Sequence, residues 1–245
     1  NDGDLDVFVA NQKDADNYLF RNEGDGSFVK ITEGNLVNEG GQSFSAIWVD
    51  IDNDGWLDLH VLNGRSNPEG QKDFLYRNRG DGSFEKMEEN AVVELALQSG
   101  GASWVDYDDD GDSDVVIHVN STSGKPQVYR NEGNWKFTNV TEKLNLTDDP
   151  LPYSPSTSVA HWVDYDNDLD LDLFIGNSGG TIDYLYENDG SGIFTRVTAG
   201  RLGLDVTNVS DVTFGDFDND GDLDYIIAVW GGASEYYENN GQGEF

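Results

Sequence analysis

The sequence predicts an all-β fold, a β-propeller of four-stranded blades, and three observations predict it. A loop dense in aspartates recurs through the 245-residue chain, starting at Asp50, Asp106, Asp164 and Asp216 with spacings of 56, 58 and 52 residues. A second motif, built on Asn and Gly, follows each loop by about half a repeat. Between them lie short runs rich in β-branched and aromatic residues, bounded by turn residues, which is the pattern of buried strands.

The first full loop reads Asp50-Ile-Asp52-Asn-Asp54-Gly55-Trp56-Leu-Asp58, with carboxylates at positions 1, 3, 5 and 9 and glycine at 6. The others are Asp106-Tyr-Asp108-Asp-Asp110-Gly111-Asp112-Ser-Asp114, Asp164-Tyr-Asp166-Asn-Asp168-Leu169-Asp170-Leu-Asp172 and Asp216-Phe-Asp218-Asn-Asp220-Gly221-Asp222-Leu-Asp224. A fifth copy, Asp2-Gly3-Asp4-Leu5-Asp6, holds only positions 5 to 9. Carboxylates this close repel one another unless a cation sits among them. Hard oxygen donors at this density suit Ca²⁺, which takes about 6–8 of them. The glycine allows a sharp turn, so that position 7 offers a carbonyl and not a side chain.

Each loop is entered through a strand with an aromatic two residues before it: Trp48, Trp104, Trp162 and Phe214. One per repeat at a fixed strand position is what an inter-blade core requires, so these are expected to be core and not sugar platforms. A second strand leaves each loop, as in Leu57–Leu62 and Tyr225–Val229. Strands three and four form a hairpin around turns such as Asn78-Arg-Gly80-Asp-Gly82, where Asn and Gly supply the positive φ of a tight turn. Asn22-Glu-Gly24-Asp-Gly26 is an equally full copy, Asn131-Glu-Gly133-Asn-Trp135 and Asn188-Asp-Gly190-Ser-Gly192 are weaker ones, and Asn239-Asn-Gly241 is the last. The units fall near residues 1–42, 43–98, 99–157, 158–209 and 210–245, three complete and two partial. The first lacks strand one and the last strand four, as expected of part of a larger propeller or of one completed by a neighbour. The connections at 34–41, 90–101 and 144–158 vary most and are where a partner site is expected.

Composition narrows the function. Forty-eight acidic residues against 14 basic give a net charge of −34, a field that repels phosphate backbones and excludes nucleic acid as a partner. No apolar run reaches the ~20 residues of a membrane span, so no membrane insertion is expected. There are no cysteines, hence no disulfides. An acidic, merely solvated surface would scatter its carboxylates and would not repeat one spacing four times. EF-hands need a bidentate Glu at position 12 and flanking helices. Position 12 is Val61, Ile117, Ile175 or Ile227, which rejects that reading.

The Asp-x-Asp-x-Asp-Gly-x-x-Asp loop, the aromatic before it and the Arg-Asn-x-Gly-Asp-Gly-x-Phe hairpin resemble the FG-GAP/VCBS repeat family, whose blades are similar to the calcium-bearing blades of integrin α-subunit propellers. The resemblance covers nearly the whole chain. It implies a seven- or eight-bladed propeller with about four Ca²⁺ sites and a fifth incomplete. The implied ligands are Asp50, Asp52, Asp54, the Trp56 carbonyl and Asp58, then Asp106, Asp108, Asp110, Asp112 (carbonyl) and Asp114. Asp164, Asp166, Asp168, Asp170 (carbonyl) and Asp172 follow, then Asp216, Asp218, Asp220, Asp222 (carbonyl) and Asp224, with Asp2, Asp4 and Asp6 as the partial site. Leu169 replaces the turn glycine, where positive φ costs about 1 kcal/mol or more, so that site is expected to bind more weakly or turn differently.

The family resemblance implies adhesion or carbohydrate binding, outside the cell or at its surface, more often than catalysis. His60, His118 and His161 occupy non-equivalent strand positions with no nucleophile pattern, which gives an enzyme reading no footing. A polysaccharide lyase would need a basic cleft that 14 basic residues poorly supply. A structural subunit of a self-assembling filament or surface array is the other alternative. Trp135 and Trp230 fall outside the aromatic column and are the candidates for a surface role. Sequons at Asn120, Asn139, Asn145 and Asn208 are about as many as chance supplies.

Overall fold

The apolar runs that leave the aspartate loops form the buried middle of antiparallel sheets. The computed structural model describes residues 3–120, 125–144, 156–198, 206–241 and 245. The second sheet runs Ser43–Val49, Asp58–Asn63, Phe74–Asn78, Phe84–Lys86 in chain order. The third is Ser99–Val105, Asp114–Val119, Gln127–Asn131, Phe137–Asn139, and the fourth Ser156–Val163, Asp172–Ser178, Tyr184–Asn188, Phe194–Arg196. The first sheet has three strands, Val7–Val9, Tyr18–Asn22 and Phe28–Ile31, and so does the fifth, with Val209–Gly215, Asp224–Val229 and Glu235–Tyr237. Among the described residues three sheets therefore have four strands, and the first and last have three.

Register is set by the loops. Val49 pairs with Asp58, Val163 with Asp172 and Gly215 with Asp224, so each aspartate loop caps the hairpin between strands one and two. The first strands of the second, fourth and fifth sheets slip register at equivalent places, near Ser43/Ser45, Thr157/Val159 and Val209/Asp211. Such bulges increase local twist. Short elements that periodicity did not announce lie in the connections: a helix at Ala91–Glu94, capped by the Asn90 side chain, and ribbons pairing Gln71–Lys72 with Ala96–Leu97 and Thr181–Ile182 with Val206–Thr207.

The chain divides into two compact units, Asn1–Gly101 with Asn131–Thr138, and Ala102–Arg130 with Asn139–Phe245. In the first, Leu59, Val61, Phe74 and Tyr76 of the second sheet pack with Phe8 and Leu19 of the first and with Leu36 and Val37. In the second, Tyr107, Val116 and Val128 pack on Ala160, Leu173, Ile175 and Tyr186, while Phe174 and Leu185 pack on Val212, Tyr225 and Ile227. Within each unit the sheets thus pack face to face, and the strands Asp58–Asn63, Asp114–Val119 and Asp172–Ser178 are buried along nearly their whole length, which is why they read as continuous apolar runs. Trp48, Trp162 and Phe214 are partly buried and pack against these cores, Trp162 stacked on Tyr107 with ring centroids 5.1 Å apart.

Candidate metal centres

Each aspartate loop is wound around its first carboxylate. Asp50 Oδ1 accepts from the Asp54 N–H at 3.1 Å and Oδ2 from the Gly55 N–H at 2.9 Å. Asp106, Asp164 and Asp216 make the same pair of bonds. The position-5 carboxylates Asp54, Asp110, Asp168 and Asp220 each accept from the N–H two residues on. Position 4 is left-handed in every loop: Asn53 φ 56°, Asp109 φ 56°, Asn167 φ 63°, Asn219 φ 65°. Asn and Asp tolerate that region best after glycine. Asn or Asp at position 4 is therefore itself a turn signal carried by the sequence. Leu169 adopts φ 79°, close to the 87° of Gly55, and keeps its N–H on Asp164. The fourth loop does not turn differently; it makes the same turn under strain.

Position 9 has a second duty that spacing could not reveal. Asp58, Asp114, Asp172 and Asp224 are fully buried. Their Oδ2 atoms accept from the position-2 N–H of Ile51 (3.0 Å), Tyr107 (3.2 Å), Tyr165 (3.1 Å) and Phe217 (3.1 Å). Oδ1 accepts from the hairpin N–H of Asn78, Asn188 and Asn239 in the second, fourth and fifth sheets. These carboxylates staple loop to hairpin. Burial pushes Asp58 up to about 6 and Asp172 up to about 7, against the pull of those N–H donors and with the push of neighbouring aspartates.

Positions 1, 3 and 9 converge. Oxygens of Asp50, Asp52 and Asp58 lie within 4.8 Å of one another, as do those of Asp106, Asp108 and Asp114 and of Asp164, Asp166 and Asp172. In the fifth sheet the group is Asp216, Asp218 and Asp220, all exposed, while the Tyr236 hydroxyl donates to Asp224 Oδ2. These are the four such groups among the described residues. In the first three, position 3 contributes a revealing atom. Oδ1 of Asp52, of Asp108 and of Asp166 is buried without a hydrogen-bond partner. Buried acceptors are normally satisfied, and three equivalent orphans beside two other carboxylates fit a cation that accepts oxygen donors. Burial, then the neighbouring carboxylates, raise Asp108 and Asp166 above the usual range. Asp4 and Asp6 of the first repeat lie in the described chain, Asp6 accepting from Asn22 N–H; Asp2 lies outside it.

The hairpins hold the loops on two sides. The Asn188 amide donates to Leu171 O of its own loop (3.1 Å) and to Tyr107 O of the preceding one (3.3 Å). Asn239 does the same with Leu223 O and Tyr165 O, and Asn131 donates to Ile51 O. The position-7 side chain lies over the first hairpin glycine. A Cβ on Gly190 would stand 2.4 Å from Asp170 Oδ2, one on Gly241 2.4 Å from Asp222 Oδ2, and one on Gly80 2.8 Å from Trp56 Nε1. Glycine is obligatory there twice over, for its positive φ and for space. The side chains of Asp170 and Asp222 are thus directed at the hairpin, which leaves position 7 its carbonyl.

The remaining candidates resolve simply. His60 and His118 are buried strand residues; His161 is half-buried, 3.8 Å from Asp211, its proton affinity lowered by burial. Trp230 is exposed. Trp135 is half-buried, and its indole N–H donates to Asp52 Oδ2 at 2.7 Å. Asn139 donates to Gln127 and accepts from Thr141 N–H, Asn208 accepts from Gly179 N–H, and Asn145 lies outside the described residues.

A family model described as FG-GAP-like repeat matches residues 1–61, 106–175 and 164–227. The chain belongs to the FG-GAP-like repeat family. Among curated proteins these FG-GAP-like repeats are similar to cartilage acidic protein 1 of Homo sapiens, 28% identical over 178 residues, which is 65% of this chain and 25% of the relative. The Xenopus tropicalis protein of the same name is 29% identical over 114 residues, 44% of this chain and 16% of the relative. The chain therefore spans a quarter or less of the length of these relatives. Among solved structures, BBS1N in complex with ARL6DN shares the fold with a TM-score of 0.50 at 12% identity, over 80% of this chain and 54% of that one.

Proposed function

We propose that these FG-GAP-like repeats form a calcium-stabilised β-propeller region that serves as a non-enzymatic binding scaffold, outside the cell or at its surface. The observation that carries the reading is the buried, unpartnered Oδ1 at position 3 in three equivalent loops. Asp50, Asp52 and Asp58 would hold one ion, Asp106, Asp108 and Asp114 a second, and Asp164, Asp166 and Asp172 a third, with Asp216, Asp218 and Asp220 a more open fourth. An all-carboxylate donor set of this kind favours a hard cation with flexible coordination, hence Ca²⁺ over Mg²⁺ or Zn²⁺. The ion's part is structural: it supplies positive charge between carboxylates that the fold forces together, and through the position-9 staples it ties each loop to its hairpin. Face-to-face packing of neighbouring sheets inside each compact unit supports the propeller arrangement. The acidity named in the cartilage relatives matches the −34 charge here, and their tissue name supports an extracellular setting. The variable connections at 34–41 and 90–101 would present the contact surface for a protein or carbohydrate partner, while 145–155 of the third lies outside the described residues.

Thermal unfolding with and without excess EDTA tests this. At free Ca²⁺ a hundredfold above Kd, each site adds about 2.7 kcal/mol, so the midpoint is expected to fall by many degrees on chelation and to return with calcium. An identical melt in both conditions would sink the proposal.

A further inference from the structure

We propose that the Asp50–Asp58 centre is completed by the hairpin of the following repeat, with Trp135 as the residue that positions Asp52 for the cation. This rests on the calcium reading above and adds a coupling between ion occupancy and the seating of residues 131–138.

The geometry at Asp52 is specific. Its side chain is 8% exposed. Oδ2 accepts from Trp135 Nε1 at 2.7 Å and from Arg77 Nη2 at 2.6 Å, while Oδ1 has no partner. Two donors from one side pin the carboxylate, so the oxygen that remains is the one left for the ion. Groups that hold the far side of a ligand in this way orient it and govern affinity. Arg77 also brings a positive charge, which opposes a cation. Trp135 orients without that opposition, because the indole N–H is neutral.

The backbone points the same way. In the aligned hairpins the place of Trp135 is taken by Gly82 and Gly26, at φ 88° in each. Trp135 occupies φ 63°, and Asn134 before it φ 53°. A bulky residue in the left-handed region costs stability and persists where the surroundings over-determine it. Here the surroundings are the Asp52 bond, the Arg77 guanidinium 5.8 Å from the ring centroid, and the Asn90 side chain, which donates to Trp135 O at 3.0 Å. Asn131 adds its bond to Ile51 O at 3.0 Å. Residues 131–138 accordingly belong to the first compact unit. In the two hairpins that follow, the residue aligned with Trp135 is Gly192 or Gly243.

Calorimetric titration of the chelator-stripped chain with CaCl₂ tests this on wild type, Trp135→Phe and Trp135→Gly. Trp135→Phe keeps a ring and removes the N–H; Trp135→Gly restores the hairpin residue of the other repeats and relieves the positive φ. Both are expected to keep the wild-type number of sites and to weaken one site about tenfold or more. Trp135→Gly is expected to do so without lowering the unfolding midpoint in EDTA, which a purely structural role would lower. Combining Trp135→Gly with Asp54→Ala, which cripples the same loop, should remove the effect. In wild type the Trp135 indole N–H resonance, assigned by its loss in Trp135→Gly, should move as one site fills. Wild-type uptake with every site of both variants within twofold, or an indole resonance that calcium leaves unmoved, overturns the coupling alone. No uptake by wild type overturns the calcium reading beneath it.

Discussion

Replacing Asn188 by Ala measures how much one hairpin side chain contributes to holding two repeats together. Asn188 is 1% exposed. Its amide donates to Tyr107 O at 3.3 Å and Leu171 O at 3.1 Å, and its carbonyl accepts from the Gly190 and Gly192 N–H groups, both at 3.2 Å. Truncation leaves four backbone groups short of a partner, Tyr107 O in the buried interior and the other three partly buried. At about 1 kcal/mol for each net bond, the variant should lose about 4 kcal/mol, a large part of the roughly 5–15 kcal/mol of a typical domain. Asn22 is the internal control. It makes the corresponding bonds to Leu5 O and Gly24 N–H, but from a half-buried position where both bonds are open to water. There water replaces what Ala removes, and Asn22→Ala should cost about 1 kcal/mol or less. Urea unfolding of both variants in excess EDTA, followed by tryptophan emission, gives the comparison free of any metal contribution. Equal midpoints for Asn188→Ala and Asn22→Ala would refute the argument that burial makes this side chain a cross-link.

Two further outcomes follow from the loops. Asp58 and Asp172 titrate near 6 and 7 in the folded chain, above the ordinary carboxylate value. The folded state therefore binds their protons more tightly than the unfolded state, and the stability this gives is full below pH 4 and lost as pH rises through 6 to 7. In EDTA the unfolding midpoint should fall across that window, and Asp58→Asn should flatten the fall; a midpoint that climbs with pH would contradict it. Leu169→Gly should stabilise the chelated chain by about 1 kcal/mol, since Leu169 is 85% exposed and gives up little packing; denaturant titration reads the gain, and a loss would refute the strain.

Much of this protein was legible in one dimension, because a repeat tests its own reading. Four copies of one spacing, an aromatic before each and apolar residues after each determine four-stranded units, and alternating turn and strand chemistry places the loops at strand ends. Local turns were legible too: Asn, Asp and Gly stand where φ is positive, with Lys13, Leu169 and Trp135 as the exceptions among the described residues. What the chain could not announce is which carboxylate oxygen is taken and which is free. That depends on partners far away in sequence. Asp58 is a staple because Asn78 folds back across it, and Asp52 is aimed because Trp135, 83 residues later, reaches its outer oxygen. Trp135 read as a surface aromatic because its only polar atom finds its acceptor in another repeat. Spacing along the chain fixes the donor types; only packing between repeats decides their direction.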